Sequence, residues 1–351
     1  MQPVHSLPND RRLELTCTAW ADAPRLELRS AAIPQPAPGE VLVRVEATSV
    51  NPIDVKRAAG YGRRLLGLKG AATLPVVLGN DLVGVIEAVG SRASAFAPGQ
   101  RVLGLVATGR GGGAHASHVL APEEQLVAVS DASFESLAVL PYSFTTMWLA
   151  VASTGLDASR AHGRRVLVNG ANGGLGRLAL QLLRGWGSQV TAICASGTRE
   201  DCLALGAEVA VERTPGVMEE LPADFDVVLN FGGWHDDPAL AARLKTAALG
   251  HATTVHPLLA HFDRLGCVRG AIASRRDWKR MRERVAAFAP KARYAWTVFR
   301  PDRDALAALA AMVRMRALSL PLGIRVPLQK ASEAFAHVAA GKPGRAVLLP
   351  S

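Results

Sequence analysis

A chain of 351 residues, 49% apolar and 20% charged, exceeds one small core and has the make-up of a soluble globular protein of two domains. Its formal net charge of +10 suits an anionic cofactor better than nucleic acid, because the basic residues are scattered and the densest stretch, 275–284, is interrupted by Asp277, Trp278 and Glu283, as on a solvated helix face. Cys17, Cys194, Cys202 and Cys267 form no CxxC pair, residues 1–12 hold Asp10 and no apolar leader, and no apolar run reaches the roughly 20 residues of a membrane span. These features argue against a disulfide framework, a zinc ribbon and a spanning helix, and make a reduced, cytoplasmic setting the expectation.

The first third reads as short strands between turns. After the loop of Pro34, Pro36, Pro38 and Gly39, the residues Val41, Val43 and Val45 alternate with Leu42, Arg44 and Glu46, which predicts a strand with one strongly buried face. Residues 75–79, 82–86 and 101–106 are further short strands, the last after the turn at Pro98 and Gly99. From about residue 132 the period changes. Residues 134–152 have a helical spacing broken by Pro141. Residues 166–168, 190–194, 209–211, 226–229 and 252–255 then read as strands, with helices at 175–186, 199–205 and 239–248. Strand and helix in alternation predict an α/β fold with a parallel sheet wound on both faces. The chain ends on a helix at 302–315, a strand at 322–326, a helix at 331–340 and a strand at 346–349.

Between the strand at 166–168 and the helix at 175–186 stand Gly170, Asn172, Gly173, Gly174, Leu175 and Gly176. Glycines in that context allow a tight turn, let backbone approach a pyrophosphate, and aim a helix N-terminus at it. The spacing is GxxGxxG rather than the commoner GxGxxG. NAD sites carry an acid about 20 residues on, at the end of the second strand. That strand here runs into Ser196, Thr198 and Arg199, with no acid at its tip. Hydroxyls and a cation suit a 2′-phosphate, so the expected cofactor is NADPH. Arg199 also reads as the exposed start of the next helix.

These motifs fall in a recognisable order. Asn51-Pro-Ile-Asp54 is followed by Leu78-Gly-Asn-Asp81, Gly84, Pro98-Gly99, the region from Gly111, and Leu140-Pro-Tyr142 with Thr146 and Trp148. Beyond the glycine loop come Leu205-Gly-Ala207, Phe225-Asp226, Gly232-Gly233 and Gly344-Arg345. The set resembles the medium-chain dehydrogenase/reductase superfamily in its zinc-independent quinone oxidoreductase branch, over about residues 44–349. Residues 51–61 and 261–266 further resemble the reticulon-4-interacting-protein-1 subgroup. The resemblance implies a Rossmann domain, residues 132–301, inserted in a β-rich GroES-like catalytic domain of residues 1–131 and 302–351, with the cofactor in the cleft between them.

The same resemblance supplies site expectations. Zinc-dependent relatives place a Cys near the position of Asn51 and a His-Glu pair near Asn80 and Asp81, so no metal is expected. His115, His118, His235 and His251 have no partner set of metal-ligand spacing. Asn51 is expected to donate to a developing oxyanion, although Asn before Pro52 also reads as a plain turn residue. Tyr61 reads either as a proton donor or as a loop aromatic. Thr146 matches a threonine near the nicotinamide, and Asn230, Phe231 and Gly232 follow a strand where ribose and nicotinamide pass. Asn230 and Phe231 depart from the family, which has an acid and Asn there. The implied reaction is hydride transfer from NADPH to a quinone or an α,β-unsaturated carbonyl compound, whose own carbonyl takes the negative charge. An enoyl-thioester or biosynthetic-intermediate reductase and a non-catalytic NADPH-binding scaffold are the alternatives. The expected partner is a small electrophile; a homodimer is left open.

Overall fold

The valine alternation at 41–45 produces the strand Glu40–Val50, whose inward residues Val41, Val43 and Val45 pack on Leu82, Ile86 and Val102. The computed structural model describes residues 10–68, 70–106, 112–129 and 133–350. The readings placed on residues 1–9, on Gly111 and on a boundary at 131/132 lie outside the described residues. The chain divides into two compact units, one ending at Tyr142 and resuming at Pro301, the other running Ser143–Arg300.

In the first unit, Glu40–Val50 pairs antiparallel with Asp81–Val89 on one side. On its other side it takes His118–Pro122 along its first half and the final strand, Arg345–Leu349, at its end, with Ala346 opposite Val50. Leu322–Pro327 adds in parallel beyond that strand. The last residues of the chain therefore complete a sheet begun at residue 40. A second sheet pairs Arg11–Ala19 with Arg25–Ala32 and Val76–Val77, and Leu15 and Cys17 share a core with Val326, Phe335 and Leu348. The first two of these strands escape the sequence reading because Arg25–Ala32 is mostly exposed and shows no apolar alternation. Residues 133–142 stay with this unit: the Arg101 guanidinium lies over the Phe134 ring, and the Tyr142 N–H donates to Asp81.

The second unit is a parallel sheet of β1 (Arg165–Asn169), β2 (Gln189–Cys194), β3 (Val209–Glu212), β4 (Val227–Asn230), β5 (Gly250–Thr253) and β6 (Arg293–Trp296), in spatial order β3-β2-β1-β4-β5-β6. Helix α1 (Gly174–Gly185) follows β1 and α2 (Arg199–Leu205) follows β2. The order reverses direction at β1, and such a switch point leaves a crevice at the carboxyl ends of the strands. The helix expected at 239–248 is shorter, Asp237–Ala241. Beyond it Leu244 turns inward, bridges to Phe225 and is buried in the core. The long helical segment Leu258–Phe288 is interrupted at Gly266, where φ is 80°. Its Arg275, Arg276 and Arg280 are exposed, as a solvated face requires. The stretch Phe134–Ser153 is long and apolar enough to cross a membrane, but 72% of its apolar 18-residue window is buried within the protein.

Candidate dinucleotide and catalytic sites

Two glycines of the loop after β1 are required by close approach. Gly170 has φ 76°, and a Cβ there would stand 2.8 Å from the Gly232 nitrogen. A Cβ on Gly176 would stand 2.3 Å from the Gly170 carbonyl oxygen. The loop is tied to β2 by the Gly170 and Ala171 N–H groups, which both donate to the Ile193 carbonyl. Gly173 caps α1, so Gly174, Leu175 and Gly176 form its first turn; the N–H groups of a first turn have no acceptor within the helix and point out of its end. Beside them lies a cavity of about 290 Å³ lined by Asn169, Gly170, Asn172, Arg213, Gly232 and His235 among others. Close backbone, a helix N-terminus and a cationic wall fit a pyrophosphate and its ribose.

The rim at the end of β2 differs from the sequence reading. The Ala195 N–H donates to Asn172 Oδ1 at 3.0 Å, and the Thr198 hydroxyl donates back to the Ala195 carbonyl at 2.7 Å. Ser196 is engaged by an acid: its hydroxyl donates to Glu212 at 2.8 Å, and the Gly197 N–H donates to the other carboxylate oxygen at 2.8 Å. The expectation of no acid at this tip is therefore corrected. The acid arrives from β3, whose register sets Glu212 opposite Cys194. The Gly197 N–H and the Ser196 hydroxyl, helped by the charge of Arg199, hold its carboxyl below the ordinary value.

Asn230 is also corrected. It is 0% exposed, and its amide is engaged inside the protein. Its Nδ2 donates to the Gly233 carbonyl and to Asp237, and its Oδ1 accepts from Asn169. No edge of the amide is left for a ligand. The Phe231 N–H donates to the Asn169 carbonyl. Asp237 further accepts from Tyr294 and His251. Burial opposes its charge, but His251 and the donors around it prevail and hold its carboxyl below the ordinary value. Residues absent from the sequence reading complete the wall: Arg213 reaches across from β3 to Asp236 at 2.5 Å and to Asn169 at 3.3 Å. Thr146 sits buried on the helix Pro141–Ser153, in the same unit.

Asn51 and Tyr61 belong to the first unit. Asn51 ends its strand and precedes the helix Pro52–Ala58, whose Asp54 accepts from the Asn51 N–H at 2.8 Å and from the Gly79 N–H at 3.1 Å. The Asn51 side chain is 1% exposed. Its Nδ2 donates to Ser49 Oγ at 3.0 Å and to Asp81 at 2.7 Å, and its Oδ1 accepts from Arg345. An amide engaged at both ends is not presented to an oxyanion, so the direct-donor role is corrected: Asn51 joins Asp81 to Arg345. Asp81 is fully buried, and burial pushes its carboxyl up to about 6 against the donors Ser49, the Tyr142 N–H and Asn51, and against the charge of Arg345. Tyr61 stands between Gly60 and Gly62, both at positive φ, with the Lys56 ammonium 5.8 Å from its ring centre. Among the described residues no group of three or more His, Cys, Asp or Glu side chains is placed to hold a metal ion.

Known proteins match this architecture. Residues 37–131 match the alcohol dehydrogenase GroES-like domain family. The fold is that of a quinone oxidoreductase from Coxiella burnetii, with a TM-score of 0.77 over 97% of this chain and 99% of that one at 21% identity. A GroES-like unit and a parallel unit bearing the glycine loop define a medium-chain dehydrogenase/reductase. In sequence the chain is 30% identical over 327 residues to the human mitochondrial NAD(P)H oxidoreductase RTN4IP1, covering 87% of this chain and 80% of that protein. It is 31% identical over 237 residues to the 2-methylene-furan-3-one reductase of Solanum lycopersicum, covering 65% of this chain and 58% of that protein. The chain belongs to the family of the mitochondrial NAD(P)H oxidoreductase RTN4IP1.

These relatives overturn the cytoplasmic expectation, since the human, mouse, cattle and nematode proteins are all mitochondrial by name. Four free cysteines do not distinguish the two compartments.

Proposed function

We propose that this NAD(P)H oxidoreductase uses NADPH, without zinc, to reduce a quinone or an α,β-unsaturated carbonyl compound. The observation that carries the reading is the glycine-loop cavity, which the end of β2 lines with Ile193 and Cys194, with Arg199 starting the helix that follows that strand. The loop and the start of α1 would hold the pyrophosphate, Asn172 and Gly232 the flanking sugars, and Arg199 the 2′-phosphate. When bound, NADPH supplies the hydride. By the family resemblance, Asn51, Asn80 and Asp81 stand near the positions where zinc-dependent relatives carry their ligands. Asn51 and Asp81 are bonded to each other, and the Asn80 amide donates to the Val106 carbonyl. That arrangement supports an acceptor needing no Lewis acid, as an enone or quinone does. Tyr61 is the residue assigned to deliver a proton after hydride transfer. Asn51 is assigned a positioning role through Arg345 and Asp81.

The test is a screen of quinones, enones and acyl-thioesters with NADPH, followed by its absorbance, with and without a chelator. Oxidation by a quinone or enone, unchanged by the chelator, is the expected result. Oxidation by acyl-thioesters alone would assign the chain to enoyl reduction, and no oxidation by any class would leave a nucleotide-binding scaffold.

A further inference from the structure

The tip of β2 offers an anion two donors and a cation: the Ser196 hydroxyl, the Gly197 N–H and the Arg199 guanidinium. The two donors already serve an anion of this chain. Each Glu212 carboxylate oxygen takes one of them at 2.8 Å, and Arg199 adds a favourable charge. Held this way, the carboxylate has the charge and bonding of a small bound oxyanion. Its origin makes it independent of the loop it grips, because it ends β3 in register with Cys194. The loop itself leaves room: Gly197 has φ 75°, and nothing lies within 4 Å of where a Cβ would stand.

We propose that Glu212 is a specificity-determining residue for the adenosine end of the cofactor, holding the Ser196 and Gly197 donors so that a 2′-phosphate must displace it while a 2′-hydroxyl can donate to it. The proposal rests on the reading of the glycine-loop cavity as a dinucleotide site. Arg199 favours the phosphate, and Glu212 opposes it by like charge and by prior occupancy of the donors. Specificity set by a repulsive group beside an attractive one is a difference of two affinities, and removing the repulsive group changes the difference. The sequence conceals the pairing because the acid lies on the third strand and its donors follow the second.

Titration of NADPH and NADH into the wild-type chain, Glu212→Gln and Glu212→Ala tests this by binding alone. Circular dichroism establishes that each protein is folded. The ratio of NADPH to NADH affinity is expected to rise on the order of tenfold in both variants, the scale of one charge-assisted contact. Ser196→Ala is expected to weaken NADPH more in the Glu212→Ala background than in the wild type, because only there is the hydroxyl free for phosphate. An unchanged ratio with both nucleotides still bound overturns the role of Glu212. If neither nucleotide binds the wild-type chain, the dinucleotide reading falls and this proposal falls with it.

Discussion

Asp81 is a carboxyl group with no exposure to solvent, and its hydrogen-bond donors replace water only in part. Burial therefore raises its pKa from the ordinary 3.8 to about 6. Between those values the folded protein keeps a proton that the unfolded chain has released. Stability then falls as pH rises through the window and is flat above it, by roughly 3 kcal/mol in all. Denaturant unfolding of wild type and Asp81→Asn across the window should give a shallower slope for the variant; equal slopes would mean that Asp81 does not titrate there. Gly176 makes a second residue-scale case, of space rather than charge. A Cβ 2.3 Å from the Gly170 carbonyl oxygen meets backbone that cannot step aside without moving the loop. Gly176→Ala should cost about 1–3 kcal/mol and weaken nucleotide binding, read as a lower Tm and a higher Kd. A variant that binds as tightly as wild type would separate the loop from the cofactor.

At the scale of elements, what is contiguous in sequence was legible. The glycine loop, α1 and α2 stand where spacing and period put them, since each is set by residues a few positions apart. Glu212, Arg213 and Asp236 were not, because only the parallel pairing of β3 with β2 and the chain's return after β4 bring Arg213 to the cavity, Glu212 to Ser196 and Asp236 to Arg213. Asn51 was singled out from the sequence, but its partners Asp81 and Arg345 lie far off in sequence, and they decide what its amide can do. The loop after β4 illustrates this dependence. It hangs on Asn230 and Asp237, and Asp237 takes bonds from Asn230 at 2.6 Å, Tyr294 at 2.8 Å and His251 at 3.2 Å. Removing a buried acid that satisfies three buried groups is costly, because each is left without a partner. Asp237→Ala should lose about 3–5 kcal/mol of stability in chemical denaturation. A loss below about 1 kcal/mol would mean that the network adds little to the fold.

For the molecule as a whole, the order of the chain and the order of the structure disagree. All six strands of the parallel sheet come from one continuous stretch, whereas the first unit needs both ends of the chain. Val326, Leu328, Phe335 and Leu348 supply part of its core, and Arg345–Leu349 covers the end of Glu40–Val50. A chain cut after Arg300 therefore loses a neighbouring strand and several buried side chains from the first unit, and nothing from the sheet of the second. Leaving a strand edge bare and a core unfilled costs more than a small unit's net stability, which is only about 5–15 kcal/mol. Hydrogen exchange on the truncated chain should show the amides of Glu40–Val50 and Asp81–Val89 unprotected, while those of Arg165–Asn169 and Val227–Asn230 keep native protection. The converse fragment, residues 143–300, should unfold in one cooperative step. Retained protection in Glu40–Val50 after truncation would show that the returning strands are an addition to the first unit rather than a condition of its folding.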